Sequence, residues 1–502
     1  MTLAAAGAAQ AQGRGGGAWA TAGSDAQRTS SIRTDPKISP DSMQKAGFQF
    51  LWKRKFDAPG TQVNLLTQPV LLPNIIAYKG FKALAFVGDG ADNVYAVDYE
   101  LNRMFWNQHL ATASKAARTA ACQGGITAVT KATSAGLSTA GGRGRGAGGG
   151  PGVGPQGPVM PGGRDAGDNV FAISSGGMVH LMNPQVGTDQ IPPVKFLPPN
   201  ARVVGSILVD GVLYAATTGS CGGAANGVWA VDLVSEAKPV TTFDTKGAGV
   251  AGAVAPTFGT DGNIYVATGS GDSPVANAVV SLASKTLDEK DWFAAGASPF
   301  TSAPIVFQYK GKDLVVAANK DGRLYVLDSA SLGGADHKTA LSMTSPFAGT
   351  AADVAGLATW LDAAGTRWVI ATTSGPLPAD TKVAMNNGPV TGGAVVAFTL
   401  VDTGDAPTLQ PQWVSQDIAA PVTPAVINGV VFAVASGQAA PAPRPASAVL
   451  FALDGATGKQ LWTSGNTITS SVRGVGPSGG DSQVYVVTRD GTLYAFGMPA
   501  ER

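Results

Sequence analysis

The 502-residue chain reads as an all-β protein, an eight-bladed β-propeller of four-stranded antiparallel blades closed by an N-terminal strand. Three observations predict it. One short pattern, a strand ending in Asp, a tight turn and a second strand ending in Trp, recurs along the chain. Charged residues are only 14%, while Gly (67) and Pro (32) are abundant, as many short strands joined by turns require. No apolar run approaches the length of a membrane-spanning helix.

The clearest copy of the pattern is Ala452 to Trp462, Ala-Leu-Asp-Gly-Ala-Thr-Gly-Lys-Gln-Leu-Trp. Asp454 can bond its own backbone, Gly458 tolerates positive φ, and Trp462 supplies a large apolar anchor. Ala96-Val97-Asp98 runs to Trp106 in the same way. Ala230-Val231-Asp232 and Tyr325-Val326-Leu327-Asp328 repeat the strand and its Asp. Weaker copies precede Trp292 and Trp413.

The formal net charge of +1 offers no basic field to steer nucleic acid, so no nucleic-acid partner is expected. Residues 1–18 read as the remnant of a signal peptide, with Ala9-Gln10-Ala11 as a small-x-small site. A periplasmic or secreted protein is the corresponding expectation, and with it a monomer. Residues 19–47 form an irregular arm. Phe48 to Phe56 reads as a strand carrying Trp52, the donor of the outer strand that the last repeat, ending at Phe496, lacks.

The blades follow in order. Blade one spans about Thr67 to Leu110. Blade two begins at Cys122 and is interrupted by a Gly- and Pro-rich insertion, 132–168, which cannot bury a core and is expected to be disordered. Blades three to five span about Val203 to Phe243, Val250 to Phe293 and Ala303 to Ser342. Blade six, about Val354 to Val414, carries a long loop through Pro376 and Asn387. Blade seven is Pro424 to Trp462, and blade eight Val472 to Phe496 with the N-terminal strand.

Several motifs carry no chemistry. The G-x-G-x-x-G matches at Gly144 and Gly152 follow no strand and open no helix. Gly476-Pro477-Ser478-Gly479-Gly480 matches a nucleophile elbow, but reads as a hairpin loop with no helix after it. His109, His180 and His337 lack ligand spacing, and His180 reads as a satisfied sheet residue.

The repeat, with the opening Trp19, Gly23-Ser24-Asp25 and Ser39-Pro40, resembles the quinoprotein (pyrroloquinoline-quinone, PQQ) dehydrogenase-like propellers over nearly the whole chain. The resemblance implies that Trp residues dock neighbouring blades. It also implies an axial site in which PQQ stacks on a Trp, a Ca²⁺ takes carboxylate and amide oxygens, and an Asp acts as base. On the matched positions, Ser270 stands where that family has an amide ligand, and no Trp lies in the run before Pro256. No acid occurs between Asp291 and Asp313, where the catalytic Asp belongs. Asn319-Lys320 falls where that family places a basic residue against the quinone.

The expectation is therefore a binding or assembly scaffold with a degenerate quinone site and no cofactor. It would present a rim or axial pocket to a protein or small-molecule ligand, with the long loops of blades two and six as recognition candidates. The alternative is a PQQ- and Ca²⁺-dependent alcohol or sugar dehydrogenase, with Lys320, Asn319 and Ser270 as cofactor contacts. The family's vicinal disulfide is absent. The only cysteines, Cys122 and Cys221, are a structural disulfide or two buried thiols, and are expected to face each other between blades two and three.

Overall fold

The computed structural model describes residues 19–57, 66–77, 80–110, 122, 124–126, 128–133, 159–160, 164–165, 168–349, 353–404, 406–437 and 446–499. Eight four-stranded units follow one another along it. The first is Val70–Ala77, Gly80–Gly88, Asn93–Asp98 and Arg103–His109. The fifth is Ile305–Tyr309, Lys312–Ala318, Leu324–Asp328 and Ser342–Met343. In both, each strand pairs antiparallel with the next. In the eighth, Ser478–Gly480, Gln483–Val487 and Thr492–Gly497 are joined by the N-terminal strand Gln49–Lys55, which runs antiparallel to Thr492–Gly497.

The inner strands of these units are largely buried on both faces, so they read as continuous apolar runs, whereas outer strands such as Val240–Asp244 alternate half-buried and exposed residues. In Val203–Val209, Ile207 and Val209 enter the core shared with unit four, while Leu208 enters the core shared with unit two. Similar cores join units one and two (Phe86, Val170), four and five (Phe293, Val306), five and six (Phe307, Val369), and six and seven (Ile370, Val431). A larger one joins units seven, eight and one through Phe432, Tyr485 and Tyr99.

The repeated pattern has a clear local cause. Asp454 Oδ1 accepts from Ala456 N (3.0 Å) and Thr457 N (2.8 Å), and Asp232 and Asp328 accept in the same way from the residues after them. The Trp residues then dock one unit on the next. The indole N–H of Trp52 donates to Tyr99 O (2.9 Å), that of Trp106 to Pro184 O (2.8 Å), and that of Trp413 to Gly455 O (2.9 Å). Each acceptor lies just past the third strand of the neighbouring unit. A Cβ on Gly458 would sit 2.3 Å from the Trp413 ring, so this turn needs glycine for the close approach as well as for its φ of 71°.

Four expectations need correction. Units two and three do not stay separate four-stranded sheets. Ala132 and Thr133 pair in parallel with Leu208 and Val209, which merges them into one eight-stranded sheet. First strands converge, so their unpaired edges come within hydrogen-bonding reach. Most of the 132–168 insertion and all of residues 1–18 lie outside the described residues, but Val159–Met160 pairs with Arg164–Asp165, so the insertion holds a short hairpin. The blade-six loop is docked rather than free: Met385–Asn386 pairs with Trp413 and Val414, and Asn387 Nδ2 donates to Val414 O and Thr457 O (both 2.9 Å). Ser478 lies in a first strand, not a hairpin loop.

Candidate functional site

The N-terminal arm runs along the free edges of the first strands of successive units. Its carbonyls accept, in turn, from backbone N–H groups of the first strands. Trp19 O accepts from Leu71 N (2.9 Å), Ala20 O from Lys131 N (2.8 Å) and Ala26 O from Phe258 N (2.8 Å). Gln27 O accepts from Val306 N (3.1 Å), Thr29 O from Thr359 N (2.9 Å) and Ser30 O from Val426 N (2.8 Å). Ser31–Ile32 then adds a parallel strand to Ala425–Ile427. Edge groups that would otherwise be buried without partners are thereby satisfied.

Arg28 anchors the arm. It is 1% exposed, and its guanidinium donates to Pro256 O (2.9 Å), Thr21 Oγ1 (2.9 Å), Ala22 O and Ser206 O (3.3 Å). Burial pulls its pKa down to about 9, while Asp25 pushes the other way. Burial likewise raises Asp25, against the bonds it accepts from Thr29 and the charge of Arg28. Gln68 ties the arm to units one and eight: its Oε1 accepts from Gly23 N (3.1 Å), and its Nε2 donates to Gly476 O and Pro477 O (both 2.9 Å).

At one end of the units, the turns between second and third strands lie against the segments leading into first strands, and together these make a rim, or mouth. The backbone repeats itself there: Lys320 N donates to Pro299 O (2.9 Å), Arg489 N to Ser471 O (2.8 Å) and Thr218 N to Arg202 O (3.1 Å).

The residues singled out from sequence lie on this rim. Lys320 Nζ is ion-paired with Asp353. Sequence reasoning missed Asp353. The available signal was an acid one residue before the first strand of unit six, Val354–Leu361. Asn319 is fully buried and engaged in its own turn: Nδ2 donates to Ser298 O (2.8 Å) and Oδ1 accepts from Asp321 N (3.0 Å). Ser270 is exposed at the end of the corresponding strand of unit four. Cys122 and Cys221 form a disulfide with Cα atoms 5.4 Å apart, between units two and three.

Among the described residues there is no group of three or more His, Cys, Asp or Glu able to hold a metal. Asn319 Oδ1 already accepts a hydrogen bond, the Asp353 carboxylate is tied to Lys320, and Ser270 offers only a hydroxyl. This donor set does not fit Ca²⁺, which takes six to eight oxygen ligands. His180, read as satisfied, holds Asp189 Oδ2 at 2.9 Å through Nδ1, yet its buried Nε2 has no hydrogen-bond partner among the described residues.

No family model and no curated protein sequence matches the chain. Solved structures match it in fold. A europium-containing methanol dehydrogenase aligns with a TM-score of 0.60 at 13% identity, over 97% of this chain and 99% of that one. The quinohemoprotein alcohol dehydrogenase of Comamonas testosteroni aligns with a TM-score of 0.57 at 13% identity, over 97% and 81%. The C-terminal WD40 domain of Sif2 aligns with a TM-score of 0.52 at 9% identity, over 90% and 99%. At these identities the likeness is one of fold alone: the chain folds as a β-propeller-type repeat of sheets.

Proposed function

We propose that this protein is a binding propeller of eight blades closed into one ring, and that it does not turn over alcohols or sugars with PQQ. The carrying observation is the state of the matched positions. The Asn319 amide is consumed by its own turn and Lys320 is neutralised by Asp353. A quinone that oxidises alcohols needs a cation to polarise it and a base to take the substrate proton. Closure of the ring is supported by the pairing of Gln49–Lys55 with the last strand and by the core shared among units seven, eight and one. The Cys122–Cys221 bridge favours an oxidising, periplasmic or secreted setting.

A second reading, a PQQ-dependent alcohol or sugar dehydrogenase, is favoured by one observation: Asp353 sets a carboxylate beside Lys320 on the rim. Reconstitution with PQQ and Ca²⁺ separates the two. The expected result is no reduction of an electron-accepting dye with ethanol or glucose. Turnover that is lost in Asp353→Asn would establish the dehydrogenase instead.

A further inference from the structure

Units four and five meet at a cluster of oxygens away from the rim. It is built on Gly259-Thr260-Asp261-Gly262-Asn263, the turn from the first strand of unit four, Thr257–Phe258, to its second, Ile264–Ala267. Because the strands run antiparallel, this turn lies at the other end of the second strand from the rim turns. A Cβ on Gly259 would sit 2.4 Å from Asp261 Oδ1, 3.0 Å from Tyr265 Cε2 and 3.1 Å from Asp313 Oδ2. Three side chains from two units therefore close on one point. Asp313 comes from Lys312–Ala318, the second strand of unit five. Alternation sets it on the same face as Val315 and Ala317, which pack with Tyr265 in the core between the two units. Gly259 does not have a positive φ, so glycine here serves the space and not the backbone.

Two features of this point call for a cation. The first is charge. Asp313 is 5% exposed, and its carboxylate accepts from Thr260 N (2.5 Å, Oδ2) and Thr260 Oγ1 (2.7 Å, Oδ1). Asp261 is exposed, and its Oδ1 accepts from Asn263 N (2.9 Å). These bonds leave lone pairs on both carboxylates. Among the described residues neither is ion-paired: Lys290 Nζ donates to Asn263 Oδ1 (2.9 Å), and Lys312 pairs with Asp328. Carboxylates that face one another without a counter-charge are costly, the more so where one is buried. The second feature is the hydroxyl of Tyr265, which is 0% exposed and has no hydrogen-bond partner among the described residues. Asn263 and Ser329 stand near it without hydrogen-bond geometry. The same Asp-Gly-x-x-Tyr spacing is satisfied in unit five, where the Tyr325 hydroxyl donates to Asp321 Oδ2 (2.6 Å). In unit four the tyrosine hydroxyl is left over, with its ring edge against the point that both carboxylates face.

We propose that Asp261 and Asp313, with the hydroxyl of Tyr265, form a site for one hard divalent cation, calcium or magnesium, that clamps unit four to unit five. All three donors are oxygens, the choice of hard cations and not of soft ones. Water on the exposed side of Asp261 completes the shell. Two carboxylates are fewer than tight calcium sites use, so binding belongs in the range of about 10⁻⁴–10⁻³ M. The site is separate from Lys320, Asn319 and Ser270 and does not depend on the binding reading above.

The test is calorimetric titration and thermal melting of the full chain, stripped with EDTA, using calcium, magnesium and sodium chloride at matched ionic strength and without PQQ. Calcium or magnesium binds one to one and raises the melting temperature, and sodium does neither. The tighter of the two assigns the ion. Asp261→Asn and Gly259→Ala each weaken binding by about tenfold or more, the first by removing ligand charge and the second by filling the space. Tyr265→Phe also weakens binding, yet in EDTA it melts no lower than the parent, because the hydroxyl it removes had no partner. A tyrosine with only a structural role would not give that pair of results. Asp272→Asn, an exposed aspartate just past the other end of the same strand, leaves binding unchanged. The proposal is overturned if neither divalent ion outperforms sodium, or if Asp261→Asn and Gly259→Ala both bind as the parent does. Dye reduction with PQQ would overturn the non-catalytic reading and leave this site standing. Failure of calcium and magnesium would overturn this site and leave that reading intact.

Discussion

The interior of the propeller and its mouth use the same side chain in opposite ways. Inside, Arg28 is buried and donates to Pro256 O, Thr21 Oγ1, Ala22 O and Ser206 O, stitching the arm to units three and four. At the mouth, Arg202 and Arg473 are exposed and Arg489 is half-buried, and their guanidinium groups spend no hydrogen bond on the protein's described residues. A buried cation with its donors filled fixes structure, and removing it strands its acceptors. Exposed cations without partners add little to stability, and their hydrogen-bonding capacity is left for something else.

The largest expected effect tests how the mouth is held. The Cys122–Cys221 bridge closes a sequence separation of 99 residues, and the loop beyond Cys221 presses on the segment that carries Arg202. A Cβ on Gly222 would lie 1.8 Å from Pro199 O, so that contact is close. By the loop-entropy relation, Cys221→Ser should cost about 4–5 kcal/mol in urea unfolding. A cost near zero would mean that the mouth is held by packing alone.

Arg28→Met comes next. It removes a buried cation and leaves acceptors unpaired, and should cost about 3–5 kcal/mol. Arg473→Gln, measured in the same series without ligand, should cost nothing. Equal losses in the two variants would erase the contrast between interior and mouth.

The smallest effect concerns Lys131, which shares features of both regions. It is 6% exposed, in a first strand, and burial lowers its pKa to about 8 while Asp168 pushes the other way. Between about pH 8 and the ordinary lysine value, the unfolded chain keeps a proton that the folded chain has released. Stability should therefore rise with pH across that window. Comparing unfolding of the parent and Lys131→Met at pH 7 and pH 10 checks the sign. A parent whose stability falls there relative to the variant would show that Lys131 keeps its charge when buried.

What was legible in the sequence is what neighbouring residues decide among themselves. The Asp turns at Asp232, Asp328 and Asp454 close on backbone groups two or three residues away. Trp106 and Trp462 each stand eight residues after such an Asp, Asp98 and Asp454, so the repeated strand–turn–strand unit could be read directly. Even the need of the last unit for a strand from the N-terminus follows from a missing partner. The path of the arm was not legible, because each of its bonds reaches a different unit and none recurs at a fixed spacing. Nor was the meeting of Lys320 with Asp353. The arm threads the first strands of several units, and the turns of one unit lie against the segments leading into the next strands. Residues far apart in the chain then become neighbours for a geometric reason that no local pattern records.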